Sequence, residues 1–509
     1  MSFSKVYSAQ TELLKTMPIS VETDISRGTL YAFSIVGLPD KAVEEARDRV
    51  SAAIKNSGYK SPKASNHKIV ISLAPGDIKK EGTHFDVAAA LSYLLANGEI
   101  EFEPEKKLFL GELSLDGKIR PIRGVLPVAR FAKEHGFEEL YVPRENVAEA
   151  ALIRDISIFG TSNLEELIDH LSQKEPLTMA KATELSRDYT LNPTDFADIR
   201  GQERAKRGLL IAAAGGHNVA MYGPPGTGKT MLAKAFAGIL PKLTFDEALE
   251  STSIHSVAGT LNEAFITEPP FRSPHHTASY VSLVGGGTTP RPGEITLAHH
   301  GVLFMDEFPE FERRVIESLR QPLEDKVISV ARAKGTAHFP ANVILVAAMN
   351  PCPCGNYGFR GKSCSCTPSS LQRYRRKLSG PIMDRIDIWV EVDRIAPHEL
   401  SSEGQIGEES KIFRERVAKA RKRQEGRFRN INISKNGEMS ARNLVTHIKM
   451  SKEAEEVLNL AAERMGFSPR VYHRMIKVAR TIADIDDSED IKETHILEAV
   501  EYRPKKFDI

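Results

Sequence analysis

The residues most ready for chemistry lie in one stretch, GPPGTGKT: Gly223, Pro224, Pro225, Gly226, Thr227, Gly228, Lys229 and Thr230. Their spacing fits G-x-x-x-x-G-K-[ST]. Glycines let backbone N–H groups turn inward around phosphate oxygens, and a helix beginning after the loop adds the positive end of its dipole. A lysine at this place reaches the β- and γ-phosphates of a nucleoside triphosphate, and the threonine hydroxyl ligates Mg2+. The flanks agree: NVAMY before the loop reads as a strand and MLAKAFAGIL after it as a helix.

Two further strand ends carry the complementary groups. GVLFMDEF is a short apolar run, as a central parallel strand requires, and it ends in Asp306 and Glu307. Asp306 would hold Mg2+ through water, and Glu307 would orient and polarise an attacking water. NVILVAAMN ends in Asn350, whose side chain could bond a γ-phosphate or that water. Directly after it come all four cysteines of the chain, Cys352, Cys354, Cys364 and Cys366, as C-x-C-x9-C-x-C. Four thiolates satisfy tetrahedral Zn2+, and such a centre closes a loop of glycine, asparagine and basic residues that lacks a core of its own. Zinc is the expectation; four reduced thiols or a redox switch are the alternatives.

Elements able to position these groups follow from the rest of the chain. Its 509 residues exceed one ordinary core, and 41% hydrophobic with 27% charged residues is the composition of a globular protein. A net charge of +1 gives no global field for nucleic acid, so any such surface is local. No stretch approaches the roughly 18 uncharged apolar residues of a spanning helix, and no signal peptide opens the chain. A cytoplasmic protein without a membrane partner is expected, in which clustered cysteines are more often metal ligands than disulfides. Residues 1–172 read as a mixed α/β block. KAVEEARDRVSAAIKNSGY places Val43, Ala46, Val50 and Ile54 on one helical face, HKIVISLAP reads as a strand, FDVAAALSYLLANG as a buried helix, and Asp116-Gly117 as a hairpin turn. Residues 173–192 read as a linker. Strands alternate with helices over 193–395, as in a parallel sheet, and residues 255–300 look like a loop-rich insertion. From 396 to 509 the pattern becomes helical.

Together these residues resemble the ComM/YifB family of magnesium-chelatase-like AAA+ ATPases. The likeness runs nearly end to end, through GQERAKRGLLIAAAGGHNVAMYGPPGTGKT, FRSPHHTAS, PGEITLAHHGVLFMDEF, LRQPLE, AAMNPCPCG, SGPIMDRIDIWVEV and SPRVYHRMIKVARTIAD. It implies an α/β fold with a central AAA+ P-loop NTPase sheet, helices on both of its faces, and a C-terminal helical lid. It implies a ring-forming motor, expected as a hexamer, that hydrolyses ATP with Mg2+ and drives branch migration of DNA in natural transformation, with branched or single-stranded DNA and recombination proteins as partners. Arg385 becomes an arginine finger reaching a neighbouring subunit, and Arg470 the sensor arginine of the lid. The N-terminal block resembles an α+β Lon-protease domain through DIKKEGTHFDVAAAL and GELSLDGKIRPIRGVLPVARFAKEHGFEELYVPREN. Where such proteases carry a nucleophilic serine this chain offers His84, and where they carry the lysine it offers Leu126, so the dyad is absent and the block is expected to be inactive.

Two other readings compete: the motor subunit of a metal chelatase, whose motor subunits generally lack a Lon-like block, and a chaperone-like remodeller of proteins. KIFRERVAKARKRQEGRFRN, residues 411–430, holds nine basic residues and is either a phosphate-tracking helix or a solvated face. The pairs His275-His276 and His299-His300 have neighbouring side chains that diverge, which argues against a metal site.

Overall fold

The computed structural model describes residues 2–504 except 13, 29–30, 65, 184–193, 262, 288–290, 333–334, 359–362, 396–408 and 432. They form two compact units, one of Met1–Arg187 with Ala248–Ile266, the other of Asp188–Glu247 with Thr267–Ile509. Part of the expected linker, 184–192, lies outside the described residues. No described helix is long and apolar enough to cross a membrane.

The first unit is built on a seven-stranded mixed sheet. Its elements are β1 (Phe3–Glu12), β2 (Lys15–Arg27), β3 (Ala32–Val36), α1 (Lys41–Asn56), β4 (His67–Ala74), α2 (Asp86–Asn97), β5 (Lys107–Phe109), α3 (Val125–Glu134), β6 (Glu139–Pro143), β7 (Ser157–Thr161) and α4 (Leu164–Leu171). The strand order is β3-β4-β2-β1-β5-β6-β7. β1, β2 and β4 pair antiparallel, and the remaining pairs are parallel. The expected helix is α1: Asp40 accepts from the Val43 N–H at its start, and Val43, Ala46, Val50 and Ile54 are its buried stripe. HKIVISLA becomes β4, DVAAALSYLLAN becomes α2, and Asp116-Gly117 closes a short hairpin of Glu112–Leu113 against Ile119–Arg120. Val6, Val21, Ile71, Val50 and Leu91 join the core of this unit.

Part of the segment expected as an insertion, residues 255–261 and 263–266, belongs here. Its Ser256 hydroxyl donates to Glu149 and accepts from the Gly124 N–H at 3.0 Å, while Glu149 Oε1 also accepts from the Leu126 N–H at 2.9 Å. Leu126, expected where a Lon lysine would stand, is buried, and its N–H is bonded to the Glu149 carboxylate. His84, expected where the serine would stand, is half-buried, and its shielded Nε2 finds no hydrogen-bond partner among the described residues. Desolvation pushes this imidazole down to about 4, against a smaller pull upward from Asp40.

The second unit carries the five-stranded parallel sheet. Its main elements are α5 (Glu203–Gly215), β8 (Val219–Tyr222), α6 (Lys229–Ile239), β9 (Phe271–Arg272), β10 (Val302–Met305), β11 (Ile344–Met349), β12 (Ile388–Glu391), α7 (Ser410–Arg427), α8 (Lys452–Met465), α9 (Pro469–Ile485) and α10 (Glu493–Glu501). The order β9-β10-β11-β8-β12 puts β8, β10 and β11 inside, where every residue is buried, as their unbroken apolar runs require. Leu209, Phe236, Val219 and Val346 share one core with Phe413 and Val417 of α7 and Met475 and Ile482 of α9, so sheet and C-terminal helices form one body.

The basic stretch 411–430 is helical through Arg427. Arg414 donates to the Gly238 carbonyl near the end of α6 at 2.8 Å, and Arg421 donates to the Ala213 carbonyl near the end of α5 at 2.7 Å. Cations at carbonyl-rich helix ends are favoured by both hydrogen bonding and the macrodipole. Arg423 binds the Ser488 carbonyl, and Arg427 binds Asp484 at 2.9 Å. Lys411, Arg416, Lys419, Lys422 and Arg429 remain exposed, Lys419 3.1 Å from Asp487.

The His84 shift carries a sign. Between pH 6.5 and about 4 the unfolded chain takes up a proton that the folded imidazole refuses, so stability falls as pH drops through that window. Asp86, raised to about 6 by burial although Arg49 opposes it, acts in the opposite sense. Its contribution is common to the parent and to a His84→Leu variant and cancels in their difference. That difference, from denaturant unfolding at pH 7 and pH 4, should move in favour of His84→Leu by about 2 to 3 kcal/mol.

Candidate nucleotide site and cysteine cluster

β8 runs straight into the loop 223–228, and α6 starts at Lys229 after Gly228, whose φ of +88° closes the turn in the left-handed region that glycine enters without strain. The N-terminus of α6 therefore faces the loop, with its unpaired N–H groups available to an anion. The Lys229 Nζ donates to the carbonyls of Gly223 and Pro224, both at 2.8 Å, and to Asn350 Oδ1 at 3.3 Å. Burial pushes its ammonium down to about 8, with Asp306 pulling it back up.

β10 delivers the acidic pair. Thr230 Oγ1 donates to Asp306 Oδ2 at 2.9 Å, so two hard oxygen donors stand side by side, a set that suits Mg2+. The other Asp306 oxygen accepts from the Glu307 N–H at 2.9 Å. Glu307 itself sits at φ +50°, a left-handed conformation that is costly for a non-glycine residue. His276 Nδ1 lies 3.0 Å from Glu307 Oε2, within reach of one carboxylate oxygen. A carboxylate so placed can accept a hydrogen bond from a water with its other oxygen.

β11 delivers Asn350 next to Lys229, and the Tyr374 hydroxyl donates to the Asn350 carbonyl at 3.0 Å. Cys352 is buried and the other three cysteines are half-buried, all as free thiols. Cys352 and Cys354 sulfurs are 3.4 Å apart, Cys352 and Cys364 3.8 Å, and Cys354 and Cys364 3.5 Å. All four Sγ atoms, Cys366 included, lie within 4.8 Å of one another.

Arg385 and Arg470 are brought together elsewhere, around a residue that the sequence did not single out. Arg385 is buried and pairs with Glu324, and Arg470 Nη2 lies 3.5 Å from the other oxygen of the same carboxylate. Asn218, just before β8, accepts from the Asp387 N–H at 3.0 Å and donates to the Arg385 carbonyl at 3.0 Å, which anchors this turn to the sheet. Arg474 and His217 hold the buried Asp387 below the usual carboxylate range, although burial itself opposes ionisation. Arg470 takes its place because Ser468 caps α9 and Pro469 begins it. Among the described residues, no hydrogen bond or ion pair links Arg385 or Arg470 to Lys229, Thr230, Asp306, Glu307 or Asn350.

Glu324, His276 and Tyr374 are the residues that sequence reasoning missed. Glu324 lies in LRQPLE and His276 in FRSPHHTAS, both quoted for their likeness alone. The expected divergence of adjacent side chains does not hold: the His275 and His276 rings have centroids 4.2 Å apart and those of His299 and His300 3.9 Å apart, and that expectation said nothing of a carboxylate partner.

Three families match the chain: magnesium chelatase, subunit ChlI, over residues 195–400; subunit ChlI of Mg-chelatase over 21–146; and magnesium chelatase, subunit ChlI C-terminal, over 407–503. The chain is 41% identical to the competence protein ComM of Haemophilus influenzae, covering 99% of this chain and 98% of that protein. It is 41% identical to the YifB protein of Escherichia coli, over 99% and 97% of the two chains. Over 173 residues, 32% of this chain, it is 30% identical to Lon protease 2 of Bacillus subtilis, 31% of which is covered.

Holding one oxygen of Glu307 has a kinetic signature. His276→Ala should lower the ATPase kcat about tenfold, equivalent to a barrier change of about 1.4 kcal/mol, with the KM for ATP unchanged. His276→Gln, which can present an N–H to the same oxygen, should restore part of the loss in the same steady-state assay.

Proposed function

This chain belongs to the ComM/YifB family of magnesium-chelatase-like AAA+ ATPases, and we propose that it is a hexameric ring motor that uses ATP hydrolysis to move along DNA and drive branch migration, integrating incoming strands during natural transformation. The observation that carries the reading is the convergence of Lys229, Thr230, Asp306, Glu307 and Asn350 at the carboxyl ends of three neighbouring parallel strands. The competence protein of near-equal length supports the choice of DNA as the track. The protein works in the cytoplasm, with recombination proteins as partners.

In this reading Gly223, Pro224, Pro225, Gly226, Thr227 and Gly228 wrap the triphosphate with backbone N–H groups, and Lys229 exchanges its carbonyl partners for phosphate oxygens. Mg2+, when bound, neutralises charge on the β- and γ-phosphates. Thr230 and Asp306 hold that ion. Glu307 orients the attacking water, and Asn350 directs its amide to the γ-phosphate or to the water. Arg385 leaves Glu324 to reach the nucleotide of a neighbouring subunit, and its lack of contact with its own chain's Lys229 cluster supports work in trans; Arg470 is the sensor arginine of the lid. Cys352, Cys354, Cys364 and Cys366 hold Zn2+.

The second reading, a metal-chelatase motor, draws on the description of the three matching families. One of them covers residues 21–146, so an N-terminal block does not by itself separate the two readings. ATPase rate measured with single-stranded, duplex and four-way-junction DNA does. Stimulation by DNA, greatest on the junction, is expected; rates indifferent to all three would reject a DNA motor.

Loss of both dyad positions gives a second expectation, that the first unit has no peptidase activity. Casein incubated with the protein, ATP and Mg2+ should remain intact, and degradation abolished by a change in this unit would refute this.

An arginine acting in trans stabilises phosphoryl-transfer charge by a rate factor on the order of 10³. Arg385→Ala should therefore keep nucleotide binding and lose most turnover, Glu307→Gln should bind without hydrolysing, and Lys229→Ala should lose binding. Mixing the Arg385→Ala and Glu307→Gln proteins should partly restore activity, because some interfaces then pair an intact Glu307 with an intact Arg385.

A further inference from the structure

We infer that the cysteine cluster is a zinc centre that forms one wall of the nucleotide site, so that zinc occupancy sets the affinity for ATP. The inference rests on reading the Lys229 loop as that nucleotide site, and it deepens the zinc assignment from a local staple to a control on binding.

The donor geometry comes first. Zinc–thiolate bonds of about 2.3 Å in a tetrahedron place sulfurs about 3.8 Å apart. Three of the sulfur pairs here span 3.4 to 3.8 Å, and the fourth sulfur lies within 4.8 Å of the rest. Four thiols that merely shared a loop would have no reason to point at one centre. The Tyr357 N–H is directed at the Cys352 sulfur at 3.3 Å, as a donor beside a thiolate would be. No disulfide joins them; all four are free cysteines.

The loop between the cysteine pairs also meets the phosphate loop. Gly355, between the first cysteine pair and the rest, has φ +78° and lies so close to the nucleotide-binding loop that a Cβ there would meet the Pro225 Cδ at 2.5 Å. Its N–H donates to the Cys352 carbonyl at 2.9 Å, so the turn that approaches Pro225 is closed by a ligand residue itself. Asn356 next to it accepts from Arg394 at 3.2 Å, just beyond the strand β12. On the other side, Cys352 is only two residues from Asn350, which accepts from Lys229 at 3.3 Å. The cluster thus reaches the nucleotide site twice, through Pro225 on the loop and through Asn350 on the lysine. A centre that fixes Cys352 and Cys354 fixes both contacts. Loss of the ion frees Gly355 from Pro225 and Asn350 from Lys229 together.

The full-length protein, purified without chelator, tests this by metal analysis and by titration with a fluorescent ATP analogue. The parent should contain about one zinc per chain. Removal of zinc by a chelator, or by the paired change Cys364→Ser and Cys366→Ser, should weaken analogue binding at least tenfold, and added zinc should restore it in the chelated parent alone. Gly355→Ala separates the wall from the ion: it should retain zinc and still bind the analogue several-fold more weakly. A parent without zinc would overturn the metal assignment. A parent whose zinc can be removed with no change in affinity, together with Gly355→Ala binding as the parent does, would overturn the coupling. A parent that holds zinc and binds no nucleotide would overturn the coupling along with the nucleotide site, and leave the metal centre standing.

Discussion

A buried ammonium surrounded by neutral oxygens governs the second unit. Lys229 brings a full positive charge into the protein and meets two carbonyls and one amide oxygen there, with the nearest carboxylate, Asp306, engaged by Thr230 and a backbone N–H. Taking a charge out of water without an ionised partner is unfavourable, and the depressed lysine pKa is the direct sign of it. The same arrangement makes an incoming polyanion favourable. Everything nearby serves to keep that charge in place: β8 brings the loop in, Gly228 turns it, β11 supplies the amide, and Tyr374 holds the backbone of Asn350.

Much of this site was legible in the sequence because its pieces are local. A phosphate loop is contiguous, and the strands that flank it advertise themselves as unbroken apolar runs. The caps of α1 and α9 follow from Asp40 and from Ser468-Pro469 at the expected spacing. What the sequence did not reveal depends on partners far apart in the chain. Glu324 gathers Arg385 and Arg470, more than sixty residues beyond it at the nearer, and no periodicity announces that meeting. Likewise, residues 255–266 were read as the start of a loop-rich insertion in the ATPase sheet, because nothing local says which unit a segment packs with.

The basic helix α7 shows how a composition can mislead about purpose. Nine cations in twenty residues suggested a track for phosphates. Four of its arginines instead satisfy backbone carbonyls and carboxylates within the unit, two of them near the ends of α5 and α6, where helix carbonyls lack partners of their own. The helix therefore ties the nucleotide-binding half of the unit to the C-terminal helices, and its contribution to any DNA surface is confined to the cations left exposed.

The first unit is discontinuous in the chain: Ser256 completes the hydrogen bonds of Glu149 and Gly124, although β8, the phosphate loop and α6 are all encoded in between. On a ribosome, which delivers the chain from its N-terminus, the order of synthesis is then not the order of completion. Residues 1–187 emerge with Glu149 still lacking its hydroxyl partner, and they wait until the first strand and helix of the other unit have been made. A nascent chain halted before residue 256 carries an unfinished first unit, and a gene fragment ending at the apparent boundary encodes the same incomplete object. The two units are interleaved in birth.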